Sequence, residues 1–140
     1  MKRRFLPVLC ILPMLFSSIV GCSEDDFSRG RLDGTQWRLV AWSVSSLHPG
    51  DFTITADFSG GRMSGTAAVN LYGGPYSTTA GGGFSVGSLS MTEMAGPEDA
   101  MRAEALYVQL LLDCEKYQWN ATQLTLYDAN GNELLIFRKR

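Results

Sequence analysis

Ten of the 14 glycines that follow Gly21 lie between Gly60 and Gly96. A glycine inside a helix costs roughly 1 kcal/mol relative to alanine, so this third of the chain cannot hold a stable helix and reads as short strands with tight turns and close backbone approaches. Alternation marks the strands before it. Trp37, Leu39 and Ala41 alternate with Arg38, Val40 and Trp42, and Phe52, Ile54, Ala56 and Phe58 alternate with Thr53, Thr55 and Asp57. A period of two with polar partners describes a sheet with one wet face. Ser59-Gly60-Gly61-Arg62 reads as a hairpin turn into a strand from Met63 to Ala68. Gly81-Gly82-Gly83 reads as a flexible loop tip. A phosphate loop needs a helix N-terminus directly after the glycines, and here Phe84-Ser85-Val86 and Leu89-Ser90-Met91 follow, extended in pattern.

A single helix is predicted, from Pro97 to Asp113. Pro97 suits a first turn, Glu98 and Asp99 place negative charge at the positive end of the dipole, and Met101, Ala105, Val108 and Leu112 recur at helical spacing. Leu106, Leu110 and Leu111 widen the apolar stripe, so the helix lies against the sheet as core. The chain then returns to strands, Tyr117 to Asn120, Leu124 to Tyr127 and Leu134 to Phe137. Asn130-Gly131 between the last two predicts a type I′ hairpin turn. Arg138-Lys139-Arg140 reads as a solvated tail. Strands, one helix, then strands give an α+β fold: an antiparallel sheet curled into a small incomplete barrel with one amphipathic helix packed on it.

The N-terminus has a different grammar. Residues 2–4 are Lys-Arg-Arg, residues 5–16 are apolar with two prolines, and residues 17–22 turn small and end at Cys22. A spanning helix needs roughly 20 apolar residues, so 1–21 reads as a secretory signal rather than a transmembrane anchor. Ile19-Val20-Gly21-Cys22 resembles a bacterial lipobox, which implies cleavage between Gly21 and Cys22 and acylation of Cys22. Residues 22–33 then form a polar tether, and 34–140 the domain. Ser23 after the cysteine resembles the signal for outer-membrane transport, and the acidic run at 24–26 resembles a surface-export tag, so both the periplasmic face and the cell surface are open. Without residues 1–21, 9 basic and 14 acidic groups remain in 119 residues, a net of −5. That length makes one compact domain, and its acidity without a basic cluster argues against nucleic acid. Cys10 leaves with the signal and Cys22 is acylated, so Cys114 has no partner for a disulfide and reads as a small buried hydrophobe.

From Gly34 to Phe137 the chain resembles the META domain family of small bacterial lipoproteins, which includes the heat-inducible HslJ-type proteins. The resemblance rests on Gly34-Thr35-Gln36-Trp37-Arg38-Leu39, Ser64-Gly65, Asn70-Leu71-Tyr72-Gly73-Gly74-Pro75-Tyr76, Thr92-Glu93-Met94-Ala95, Met101 and Glu104, and Leu124 to Asp128 with Gly131 and Phe137. Many members carry cysteines where this chain has Val69 and Gly96, which implies that these two positions are close in space. The motif residues have a scaffold reading: Asn70 at a turn, Gly74 for backbone freedom, Tyr72 and Tyr76 as large rings with polar tips. Their functional reading is a recognition surface of Asn70, Tyr72 and Tyr76. The resemblance implies a non-catalytic envelope lipoprotein, membrane-attached through its anchor, that meets an envelope protein or a small apolar ligand in envelope maintenance or stress tolerance. The alternative is a pilot or assembly factor that escorts an outer-membrane component by holding an acyl chain or apolar peptide inside the barrel. A core filled by Trp37, Phe52, Phe58 and Leu126 would count against it.

Catalytic signatures are sparse. The only histidine, His48, falls in the loop Leu47-His48-Pro49-Gly50, away from any nucleophile motif. One histidine and one distant cysteine do not make a zinc site, and Glu24, Asp25 and Asp26 lack the glycine and terminal glutamate of a calcium loop. Two of the 14 carboxylates meeting in the fold would be the remaining route to glycoside chemistry. The expectation is therefore a protein without catalytic residues, metal or cofactor.

Overall fold

The computed structural model describes residues 32–140. The expected signal segment, Gly21-Cys22 cleavage site, acylation of Cys22 and tether before Leu32 lie outside the described residues. The elements run β1 (Thr35–Trp42), a 3-10 turn (Pro49–Asp51), β2 (Thr55–Ser59), β3 (Arg62–Ala67), β4 (Asn70–Thr78), β5 (Phe84–Val86) and β6 (Ser90–Met91). Then come α1 (Glu98–Asp113), β7 (Lys116–Trp119), β8 (Gln123–Tyr127) and β9 (Glu133–Lys139). The sheet order is β5-β4-β3-β2-β1-β9-β8-β7, with β6 paired to β4, and every pairing is antiparallel. The two outer members meet briefly. Phe84 N–H donates to Glu115 O at 2.9 Å and Tyr117 N–H to Gly82 O at 3.0 Å. The result is an α+β barrel, closed but for one seam between β5 and β7.

The glycine-rich third is shaped by close approaches. A Cβ on Gly65 would stand 2.2 Å from Thr55 O, and one on Gly74 would stand 2.7 Å from Ser88 O, so bare backbone lets β2 and the segment before β6 press on β3 and β4. A type I′ turn forms at Gly60-Gly61, both with positive φ (60° and 73°). At Asn130-Gly131 the hairpin forms as expected, but only Gly131 has positive φ (85°). The Asp128 carboxylate accepts N–H bonds from Asn130 and Asn132 and ties the loop into a wider turn. Gly81-Gly82-Gly83 is not a free tip. It turns β4 into β5, and the Gly82 carbonyl takes part in closing the barrel. Arg138 and Lys139, expected in a solvated tail, belong to β9, and Arg140 pairs with Asp57 at 3.1 Å.

Trp37, Leu39, Ile54, Ala56, Phe58, Met63, Leu124, Leu126, Leu135 and Phe137 fill the barrel. The helix runs over the end where β3 gives way to β4, one residue shorter than predicted. Its buried face is Ala103, Glu104, Tyr107, Leu110 and Leu111, which keeps Leu110 and Leu111 of the expected stripe, whereas Met101, Ala105 and Leu112 face outward and Val108 is half-buried against the core. Glu98, Arg102, Gln109 and Asp113 share one narrow side of α1 and apolar residues most of the rest, so periodicity alone did not select a buried face. Hydrogen-bond partners for Glu104 and Tyr107 did.

Candidate functional site

The motif residues converge where the helix meets the start of β4. Glu104 projects from the buried face of α1, and its Oε2 accepts the N–H groups of Val69 (3.1 Å) and Asn70 (2.6 Å). Asn70 Nδ2 donates to Glu104 Oε1 at 2.7 Å and to Met94 O at 3.1 Å. The other side of the same amide, Oδ1, accepts from Met94 N–H at 2.7 Å and Thr92 Oγ1 at 2.9 Å. All four hydrogen-bonding positions of the Asn70 side chain are thereby filled. The cluster fastens three pieces of chain, the β4 start, the irregular segment after β6, and α1, with no cation among its members.

The two tyrosines are held in different ways. Tyr72 lies in the core at 4% exposure; its hydroxyl donates to Thr55 O at 2.7 Å, which leaves Tyr107 as donor in the 2.7 Å contact between the two phenols. Burial pushes both phenols well above the usual tyrosine value, so both stay protonated. Tyr76 is half-buried, packed edge-on against Phe58 with centroids 4.8 Å apart. Its hydroxyl donates to Asp33 Oδ1 at 2.7 Å, while the same carboxylate accepts the Gly60 and Gly61 N–H groups. Of the recognition surface expected from Asn70, Tyr72 and Tyr76, only Tyr76 reaches the outside, half-buried. Asn70 and Tyr72 are buried with their polar atoms engaged, because strand alternation points both inward and the helix covers them.

A family model described as META domain matches residues 30–140. The chain belongs to the META domain family. The geometry joins the motif residues Asn70, Thr92, Met94 and Glu104 of this chain in one hydrogen-bonded clasp. An NMR structure of a protein from Burkholderia xenovorans shares the fold, with a TM-score of 0.66 at 27% identity over 78% of this chain and 83% of that one. A second NMR structure, at 16% identity and a TM-score of 0.56, covers 81% of this chain and 92% of its own and shows the fold alone. No curated protein matches the sequence significantly.

In this META domain, Val69 and Gly96 do lie together. A Cβ built on Gly96 stands 3.5 Å from Val69 Cβ, within disulfide reach. Cys114 is buried, its thiol donates to Leu110 O at 3.1 Å, and burial pushes it up to about 12. Among the described residues no group of three or more His, Cys, Asp or Glu is placed to hold a metal ion, and His48 is exposed. Among the described residues, a groove of about 620 Å³ lies across β7 and β8, walled by the turn after β4. Gln118, Trp119, Gln123, Thr125, Tyr127 and Glu133 line it. Tyr127 donates to Gln118 Oε1 and Gln123 Nε2 to Thr125 Oγ1, both at 3.1 Å, which fixes the floor and leaves the Gln118 amide nitrogen and the Gln123 amide oxygen facing outward. A second groove of about 420 Å³ lies beside the end of α1, lined by Phe84, Val86, Leu112 and Cys114 among others.

Sequence reading missed Tyr107, Asp33 and the groove residues, and it matched Glu104 without a role. Glu104 carried a readable signal: a carboxylate three residues before Tyr107 on an apolar helix needs buried donors. The groove carried none, since glutamines on a wet sheet face are ordinary.

Proposed function

We propose that this META domain is a non-catalytic binding module of the bacterial cell envelope, held at a membrane through acylated Cys22 and acting in envelope maintenance or stress tolerance. The observation that carries the reading is the internal use of the motif. Asn70, Glu104 and Tyr72 build the scaffold, so contact with other molecules falls to outward faces, of which the β7-β8 groove offers the Gln118 amide nitrogen and the Gln123 amide oxygen to a polar partner. The lipobox-like ending of the signal supports the anchor, and two or three acyl chains, at about 0.8 kcal/mol per buried CH₂, make such attachment stable. The pilot reading loses its support in the form that stores an apolar ligand within the barrel. Of the four residues expected to fill the core, Trp37, Phe58 and Leu126 are at most 1% exposed and Phe52 is half-buried against the core, and an acyl chain would have to displace the first three.

Two measurements test the proposal. Mass spectrometry of the membrane fraction should give an acylated peptide beginning at Cys22; an unmodified cysteine or an intact Met1 removes the anchor. A photo-reactive residue at position 118 should form an adduct in intact cells while one at position 44, exposed but outside the groove lining, does not. Equal or absent adducts from both positions would remove the groove as the contact site.

A further inference from the structure

The charges of this acidic domain are sorted by barrel end. Among the described residues there are seven Lys and Arg and eleven Asp and Glu. Leu32 enters the fold beside Thr35, whose hydroxyl and amide both donate to Leu32 O, and Asp33 clasps the Gly60-Gly61 turn. This is the end at which β1 and β3 begin and β2 and β9 finish. Five of the seven cations belong to that half: Arg38, Arg62, Arg138, Lys139 and Arg140. Only Asp33 and Asp57 accompany them. Asp33 is engaged by the turn amides and Tyr76, and Asp57 by Arg140. The other nine acids lie on the loops and helix of the opposite half or where β7 begins.

Arg38 and Arg138 sit directly opposite each other on adjacent strands, both exposed. Like charges in direct register are destabilising. Neither arginine, nor Arg62 or Lys139, takes part in an ion pair among the described residues. A folded half that concentrates unpaired cations in an otherwise acidic domain is complementary to an extended negative surface.

We propose that this end of the barrel is a docking face for anionic lipid headgroups of the membrane that carries the anchor; the inference rests on the reading of Cys22 as acylated. Nine residues separate Cys22 from Leu32, and they span at most roughly 32 Å when fully extended, so the end that receives the tether is the end kept nearest the bilayer. The tether carries three acids against two arginines, so attraction comes from the folded end. Each Lys or Arg near an anionic surface adds favourable electrostatic energy that fades within a Debye length. The docked domain presents its acidic half and the helix away from the membrane.

Two lysines report the orientation, because Lys116 and Lys139 are the only ones after Cys22. Acylated protein extracted from membranes is reconstituted into phosphatidylcholine liposomes with or without phosphatidylglycerol, then exposed to a membrane-impermeant amine reagent. The Lys139 to Lys116 labelling ratio should fall when phosphatidylglycerol is present and recover at high salt. Arg38→Gln and Arg138→Gln should each lower the docked-to-free ratio about fivefold. These side chains have no partner among the described residues to lose, so the variants keep the fold. Equal ratios in both liposomes, or a fall that ignores the two arginines, would overturn the docking face. So would protection of Lys139 in native membranes but not in phosphatidylglycerol liposomes, which would point to an acidic protein instead. Failure of the anchor reads differently: an unmodified Cys22 peptide and no association with either liposome.

Discussion

Joining positions 69 and 96 by a disulfide tests the packing of the clasp quantitatively. In Val69→Cys/Gly96→Cys the second Cβ would stand 3.5 Å from the first, with a valine γ carbon 2.8 Å away marking where a sulfur would lie. The Gly96 backbone is not among the positive-φ glycines, so a cysteine fits there without strain. The bond would close a loop of 27 residues, worth about 3.5 kcal/mol in the chain-entropy account. For a domain near 110 residues that is roughly 12–15 °C in Tm. Calorimetry of the oxidised against the reduced double variant measures it, and thiol titration under denaturing conditions should find Cys114 alone unmodified in the oxidised form. The single variant Gly96→Cys should lose about 1 kcal/mol, because the new side chain meets the Val69 methyls. The reasoning fails if the bond does not form under mild oxidation, or if oxidised and reduced forms melt together.

Glu104→Ala strands three N–H groups of Val69 and Asn70 and should cost about 3 kcal/mol in urea unfolding, while Glu104→Gln, which keeps one acceptor, should cost less; equal losses would mean that packing and not hydrogen bonding holds the clasp. Cys114, its thiol pushed up to about 12, should resist iodoacetamide at pH 8 in the native protein and react on unfolding; prompt native labelling would contradict its burial. Hydrogen bonds from Asn132 hold the Asp128 carboxyl below the usual carboxylate value of 3.8. Its stabilising contribution should be complete above that value and fade as pH falls below it. The stability gap between the parent and Asp128→Asn should therefore shrink on acidification, and a gap that widens would reverse the assignment.

What the sequence reveals most directly is whatever a short window decides. Alternation from Trp37 to Ala41 and from Ile54 to Phe58 appears in the strands because each side chain's face follows from its neighbours alone. The helix bounds follow from Pro97 and the run after it. Its buried face does not, since Met101 and Leu112 are as apolar as Leu110 and Leu111, and only the donors at Val69 and Asn70, some 34 residues away in the chain, decide that Glu104 points inward. The two readings of Tyr72, scaffold or surface, separate for the same reason: Thr55 O and Tyr107 supply partners from β2 and α1 that its own neighbours do not announce. Thr55 shows the limit of alternation itself. It sits on the wet face but is 8% exposed, because Gly65 lets β3 cover it.

The position of β9 bears on when this domain can fold. In the sheet it stands between β1 and β8, yet it is the last of the described strands to be synthesised. Until residue 139 has left the ribosome, β1 carries one open edge and β8 one partner, β7, so the barrel cannot close behind the ribosome as its strands emerge. Such long-range closure is slow and leaves edges exposed in the meantime. A nascent chain of this kind remains a substrate for whatever holds or carries unfolded polypeptide, and commits to its native shape only once the final strand drops into the gap.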